Sequence, residues 1–398
     1  MHAIQRLRRG RPTLLVLVLG VACGGDDPAQ GPPGVWGTLE LESSYPEAFA
    51  YLSGVREMAD GRVLAADPTG QALMLLDLEA GTADTLGSQG EGPQEYRGPD
   101  EVLALPADSS LLVDLGNDRL VVIDPDGDFV DWTPMSRRRA DGRARSTRPR
   151  AVDAAGFLYL EEAYPPDAGP PDSVRVVRTR RGEGATIPVA SIWRPPPPPF
   201  GPQSKRPILT PSDDWSAGAD GRVAVARANG FSVDWYLPDG RIVTGPRHEV
   251  EVFPVDQSEK DAEFATLMES AVFTLSVADG NGVQRVETRR GVPQGAGLGE
   301  DDFAWPETLP TLQTGGTRVT PWGDAWVTRR IPRDLEGRVE VFDHRGAWVG
   351  FIALPPTASV VGFGTTRDGD PAVYLVRSDE VGLKWLTRHR VKEGRGQS

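Results

Sequence analysis

The chain predicts an all-β fold: a six-bladed β-propeller whose N-terminal strand closes the last blade, with one helical insertion between blades four and five. Three observations carry that expectation. A motif recurs six times, made of a short apolar strand, a turn, a second apolar strand, a loop and a third strand ending in an Asp-Gly or Gly turn. Its turn positions (Gly61, Ser109, Gly156, Gly221, Gly323, Gly369) are separated by 48, 47, 65, 102 and 46 residues. Three of those intervals fit the period of about 40 to 50 residues expected of a four-stranded blade. Finally, residues 36–41 read as a strand with no partner nearby, while the sixth repeat stops after three strands near Arg390.

The first element is a leader. Arg6, Arg8, Arg9 and Arg11 precede an uncharged apolar run at 14–22, which ends in small residues before Cys23, the single cysteine of the chain. A basic start, a short apolar core and small residues ahead of a cut are the parts of an export signal, and the run is too short to span a bilayer. Cys23 directly after the small residues resembles the cleavage site of bacterial lipoproteins, where the thiol is acylated. Gly20 stands where that pattern usually has leucine, with Leu19 one step further out. The resemblance implies a signal peptide over 1–22, lipidation at Cys23 and a flexible tether over 23–35. Gly24, where an aspartate would signal inner-membrane retention, implies the outer membrane, on its periplasmic or surface face.

The propeller body is expected over 36–391, with insertions at about 191–212 and 248–315 and a disordered tail over 392–398. Glycine suits the repeated turns because it adopts positive φ without a steric cost. The middle strands are apolar on both faces, so a lone blade cannot hide them, whereas six stacked around an axis can. The first insertion carries prolines 195–199, a polyproline rod with no ladder donors. The second holds a helix: Asp256 with Glu259 forms a capping box, and Phe264, Leu267, Met268, Ala271 and Val272 fall on one helical face, read as packing against the propeller. Strand 36–41 added outside the sixth repeat would cover an exposed edge.

Composition narrows the partners. Lysine plus arginine is 43 against 57 acidic residues, a net charge of -14. Loss of the leader leaves 39 basic residues and a charge of -18. A body so acidic repels nucleic acid and anionic lipid surfaces. A single cysteine allows no internal disulfide, so packing must supply the stability.

The stretch 112–130, with Asn117-Asp118-Arg119-Leu120, resembles the repeat of NHL-type propellers. The stretch Gly87-Ser88-Gln89-Gly90-Glu91-Gly92-Pro93-Gln94-Glu95-Tyr96 resembles a signature that follows the first blade in bacterial six-bladed β-propeller lipoproteins, with Gln94 and Tyr96 departing from glycine and phenylalanine. The resemblance spans nearly the whole mature chain and implies fold rather than activity.

Chemistry is sparse. His2, His248, His344 and His389 stand apart from one another, which disfavours a zinc or iron site. No nucleophile elbow or phosphate loop is present in the sequence. Asp124-Pro125-Asp126-Gly127-Asp128 reads as a hairpin turn rather than a calcium loop, since the glycine and the final glutamate of that loop are misplaced. No catalytic, cofactor-binding or metal-ligating residue is therefore singled out. Calcium held in the central channel by carboxylates of several blades is the one cofactor left open. Seven arginines (Arg137, Arg138, Arg139, Arg143, Arg145, Arg148, Arg150) form either a solvated loop or a dock for an anionic partner. The expected function is a lipid-anchored, monomeric envelope protein that binds a glycan, peptide or protein through its loops. The alternative is a propeller enzyme of lactonase, lyase or glycan-cleaving type, with or without calcium assistance. Loop aromatics (Trp193, Phe200, Trp215, Trp305) lean towards binding. An enzyme should gather carboxylates, or a histidine with a carboxylate, at the channel mouth, and a binder should show an aromatic or arginine-rich rim.

Overall fold

The computed structural model describes residues 33–52, 54–138, 144–146, 148–162, 172–195, 205–270, 272–278, 284–290, 298–366 and 368–393. Cys23, most of the tether and Phe200 lie outside them. Six four-stranded antiparallel sheets form the body. Their innermost strands are Val55–Glu57, Pro99–Ala104, Ala151–Val152, Asp214–Ala217, Leu312–Val319 and Ala358–Thr365. Within blades one to five the strands follow one another outward in chain order. Blade six takes its outermost strand from the N-terminal end, where Gly37–Ser44 pairs antiparallel with Lys384–Glu393.

This closing strand starts one residue later than the expected 36–41, at Gly37, and runs three residues further, through a bulge between Leu41 and Ser43. Leu39 packs beside Val391, and Lys392 pairs with Glu40 at 2.5 Å. Lys392 and Glu393 therefore belong to a strand, which corrects a tail drawn from 392.

The middle strands are rich in apolar residues on both faces because a neighbouring blade covers each face. Val63–Asp67 is buried along its whole length. Leu64, Leu73 and Leu75 of blade one pack against Leu112, Val121 and Ile123 of blade two. Trp326, Val339 and Val341 of blade five meet Val360, Val373 and Leu375 of blade six in the same way.

The alternating strand directions give the propeller two faces. Connections between blades, and from second to third strand, lie on one face, called upper here. The first-to-second and third-to-fourth turns lie on the lower face. Gly61 and Gly323 hold lower turns at φ 87° and 102°, as the repeat predicts. Blade two departs from the pattern. Its turn is a short 3-10 helix, Pro106–Asp108, with Ala107 and Asp108 at φ 57° and 58°. The Asp108 carboxylate anchors this turn on Arg56 and on the Ala59 N–H.

The two insertions meet in a small accessory core. Arg206–Pro207 pairs in parallel with Phe303–Ala304, and Ile208, Leu209, Phe303 and Leu309 are buried together. Helix α1 (Gln257–Ser270) starts as expected, with the Glu259 N–H donating to Asp256 at 2.9 Å. Its Phe264 and Leu267 face this accessory core rather than a blade. The helix reaches blade five through Glu263, which accepts from Arg330 at 2.7 and 3.1 Å. The predicted stripe overran: Val272 opens a strand, Val272–Ala278, paired with Gln284–Arg290.

Candidate functional site

All three long inter-blade connections lie on the upper face: 135–150 from blade two to three, 194–213 from three to four, and 245–311 from four to five. The connection from blade five to six spans only 354–357, between Ala353 and Ala358. The upper mouth of the channel is thus bordered along blades two to five by long segments.

The innermost strands of the same blades bring charge to that mouth. Asp100 and Glu101 stand near the start of the blade-two strand. Arg148 hydrogen-bonds to Asp100 and lies 3.4 Å from Glu101 Oε2. Burial opposes the Arg148 charge, yet Asp100 and Glu101 outweigh it and raise its pKa. Arg150 donates to Asp214 at 3.0 Å and stacks over the Trp215 ring at 4.9 Å. Asp214 is also held by the N–H groups of Gly315 at 3.1 Å and Thr317 at 2.7 Å. Glu161 accepts from Arg194 at 2.5 Å and from the Trp215 indole at 2.9 Å.

Arg318 lies on the innermost strand of blade five, one residue beyond Thr317 and so deeper along the channel. It is half-buried, and burial lowers its pKa, against the pull of Glu101 and Asp214 and with the push of Arg150. On the blade-one side, the buried Gly54 packs against Glu101: a Cβ there would sit 3.8 Å from the Glu101 Cγ, an ordinary contact.

Of the seven clustered arginines, the structure describes the side chains of Arg148 and Arg150. Both turn into the channel mouth and pair with carboxylates, which replaces the solvated-loop expectation for these two. The side chains of Arg137, Arg138, Arg139, Arg143 and Arg145 lie outside the description. Two of the loop aromatics are relocated. Trp215 belongs to an innermost strand and is 0% exposed, and Trp305 packs in the accessory core. Trp193 ends a strand and stays partly exposed.

None of the described histidines is a partner of these charged groups, and His2 lies outside the described residues. His248 meets Trp348 edge-on at 5.2 Å, and burial lowers its pKa. His344 sits in a lower turn between Asp343 and Arg345. His389 faces Thr387, and burial lowers its pKa. Asp124 accepts from the N–H groups of Asp126 and Asp128, as a turn residue does. Among the described residues, no group of three or more histidine, cysteine or carboxylate side chains converges to hold a metal ion.

The signature stretch serves the fold. It forms the connection from blade one to two, where Arg119 donates to the carbonyls of Gly92 and Glu95 and Asn117 to that of Gly90. Gln94 exchanges two hydrogen bonds with the Phe129 backbone, and the Tyr96 hydroxyl accepts from the Leu73 N–H. Sequence reading missed Asp100, Glu101, Glu161, Asp214 and Arg318. A usable signal existed: Asp100-Glu101 and Asp213-Asp214 open innermost strands at matching places in their repeats.

No family model matches the chain, and no curated protein matches it. Solved structures do. A candidate gluconolactonase aligns over 89% of this chain and 93% of its own at 13% identity and a TM-score of 0.45. A streptogramin B lyase aligns over 89% and 98%, at 10% identity and 0.40. A calcium-binding regucalcin from Agrobacterium tumefaciens aligns over 90% and 97%, at 9% identity and 0.40. Likenesses this distant concern arrangement alone, and the six-bladed propeller itself is established by the strand topology of the chain.

Proposed function

We propose that the upper mouth of the channel recognises a small polar ligand, such as a glycan or peptide, on a body tethered to the bacterial envelope through Cys23. The supporting observation is the mixed-charge lining contributed by blades two to five beneath the long connections. Fixed donors and acceptors in a recess suit recognition of hydroxyls and amides. Asp100, Asp214 and Glu161 are each committed to arginines, and Asp214 also to backbone N–H groups. That arrangement favours holding a ligand over moving a proton.

One observation favours a second reading, a lactonase-, lyase- or glycan-cleaving-type enzyme at the same mouth. Among the described residues, Glu101 Oε1 makes no hydrogen bond, and Glu101 lies within electrostatic reach of Arg318. A carboxylate base beside a fixed cation that stabilises developing negative charge suits such chemistry. The names of the solved neighbours also side with this reading rather than with recognition. At 9–13% identity, however, they share a fold, and a fold does not fix chemistry.

The test is calorimetry plus mass spectrometry on the mature protein, with and without added calcium, against glycans, peptides and lactones. Recognition predicts saturable binding without product, weakened about tenfold by Glu101→Gln. Product formation that disappears in Glu101→Gln would establish the enzyme instead. Binding indifferent to that substitution would move the site elsewhere.

A further inference from the structure

We infer that the ligand carries a carboxylate, and that Arg318 is the cation that receives it inside the channel. This rests on the upper mouth being the binding site. The inference comes from comparing four arginines that share one network. Arg148 is matched by Asp100 and Glu101, Arg150 by Asp214 and the Trp215 ring, and Arg194 by Glu161. Among the described residues, Arg318 alone of the four has no ion pair or hydrogen bond to its side chain.

Both nearby aspartates are already engaged. Asp214 is held by Arg150 and by two N–H groups of the same strand that carries Arg318. Asp100 is held by Arg148 and has no exposure. Glu101 and Asp214 attract the guanidinium without touching it, and Arg150 repels it. A half-buried guanidinium in that position has lost water without gaining a partner. A planar fork of N–H donors matches a carboxylate in two-point contact, which a lysine could not reproduce. Glu101 acts on this guanidinium electrostatically and meets Arg148 through Oε2, leaving its other oxygen as an acceptor suited to a hydroxyl or amide on the same molecule.

Global charge makes the assignment testable. At the net charge of -18 left after loss of the leader, the protein repels small anions, so a saturable response to one reports a local site. The probes are two matched pairs at constant ionic strength: glucuronate with glucose, and N-acetyl-alanyl-alanine with its amide. Binding and thermal stabilisation are measured on the mature chain and on Arg318→Gln and Arg318→Lys.

The expected result is that the acid of one pair binds at least about tenfold tighter than its neutral partner. Arg318→Gln should erase that preference and Arg318→Lys restore part of it. The pair that responds tells a sugar acid from a peptide terminus. Absence of any acid preference in the wild type, which needs no variant to fold, overturns the inference. So does a preference that survives Arg318→Gln. Neutral probes that still bind and are weakened by Glu101→Gln would leave the mouth as the site while removing the carboxylate. Probes indifferent to both positions would remove both readings.

Discussion

Asp324 sits in the lower turn of blade five, where its N–H donates to the Thr320 hydroxyl at 3.0 Å. Burial pushes its carboxyl up to about 6, with Glu393 and Asp343 adding to the rise and His344 and Arg222 opposing it. The folded protein thus keeps a proton that an unfolded aspartate has released. The native state gains stability as pH falls from 6 towards 4 and carries the full penalty above 6. Asp324→Asn should therefore raise stability at pH 7.5 by about 1 kcal/mol, a fraction of the full shift because the group keeps some solvent. The gain should shrink on approach to pH 4, and thermal melts of both proteins across that range check it. An equal gain at both ends would exclude titration as the cause. Residues of this kind escape a sequence reading. The arginine cluster was visible, but Arg148 meets an aspartate 48 positions away and Arg150 one 64 positions away. Only the ring of blades brings those pairs together.

At the scale of elements, ring closure was legible and insertion boundaries were not. Residues 36–41 announced a strand, and the sixth repeat lacked one. The bulge that carries it on to Ser44 left no mark in the pattern. Val272 continued an apolar period that the chain breaks after Ser270, because period alone does not tell a helix end from a strand start. Trp215 looked like a loop aromatic because its strand, Asp214–Ala217, has only four residues. Deleting 37–44 should expose the edge of Lys384–Glu393 and separate blade six from its covering strand. The expected result is a loss of about 10 °C or more in melting temperature, with concentration-dependent association visible in light scattering. A truncated chain that melts like the full one would mean that closure contributes little.

At the scale of the whole molecule, the six blades were readable from spacing, because each must supply the same turns and the same two-sided apolar strands. The mouth was not readable, because it is assembled from one short segment of each of several repeats. The proposed anchor belongs here too. Cys23→Ser should move the protein from the membrane fraction to the soluble fraction, as followed by immunoblot of fractionated cells, whereas unchanged partitioning would rule out attachment through this thiol. No described helix is long and apolar enough to cross a membrane. The closing strand has a directional consequence. Gly37 lies opposite Glu393, at the lower end of blade six, and the chain climbs from there to Ser44 near the upper end. The polypeptide therefore enters the ring from beneath. A label or solid support attached ahead of Gly37 would thus start at the face opposite the charged recess, leaving the approach to the recess unobstructed.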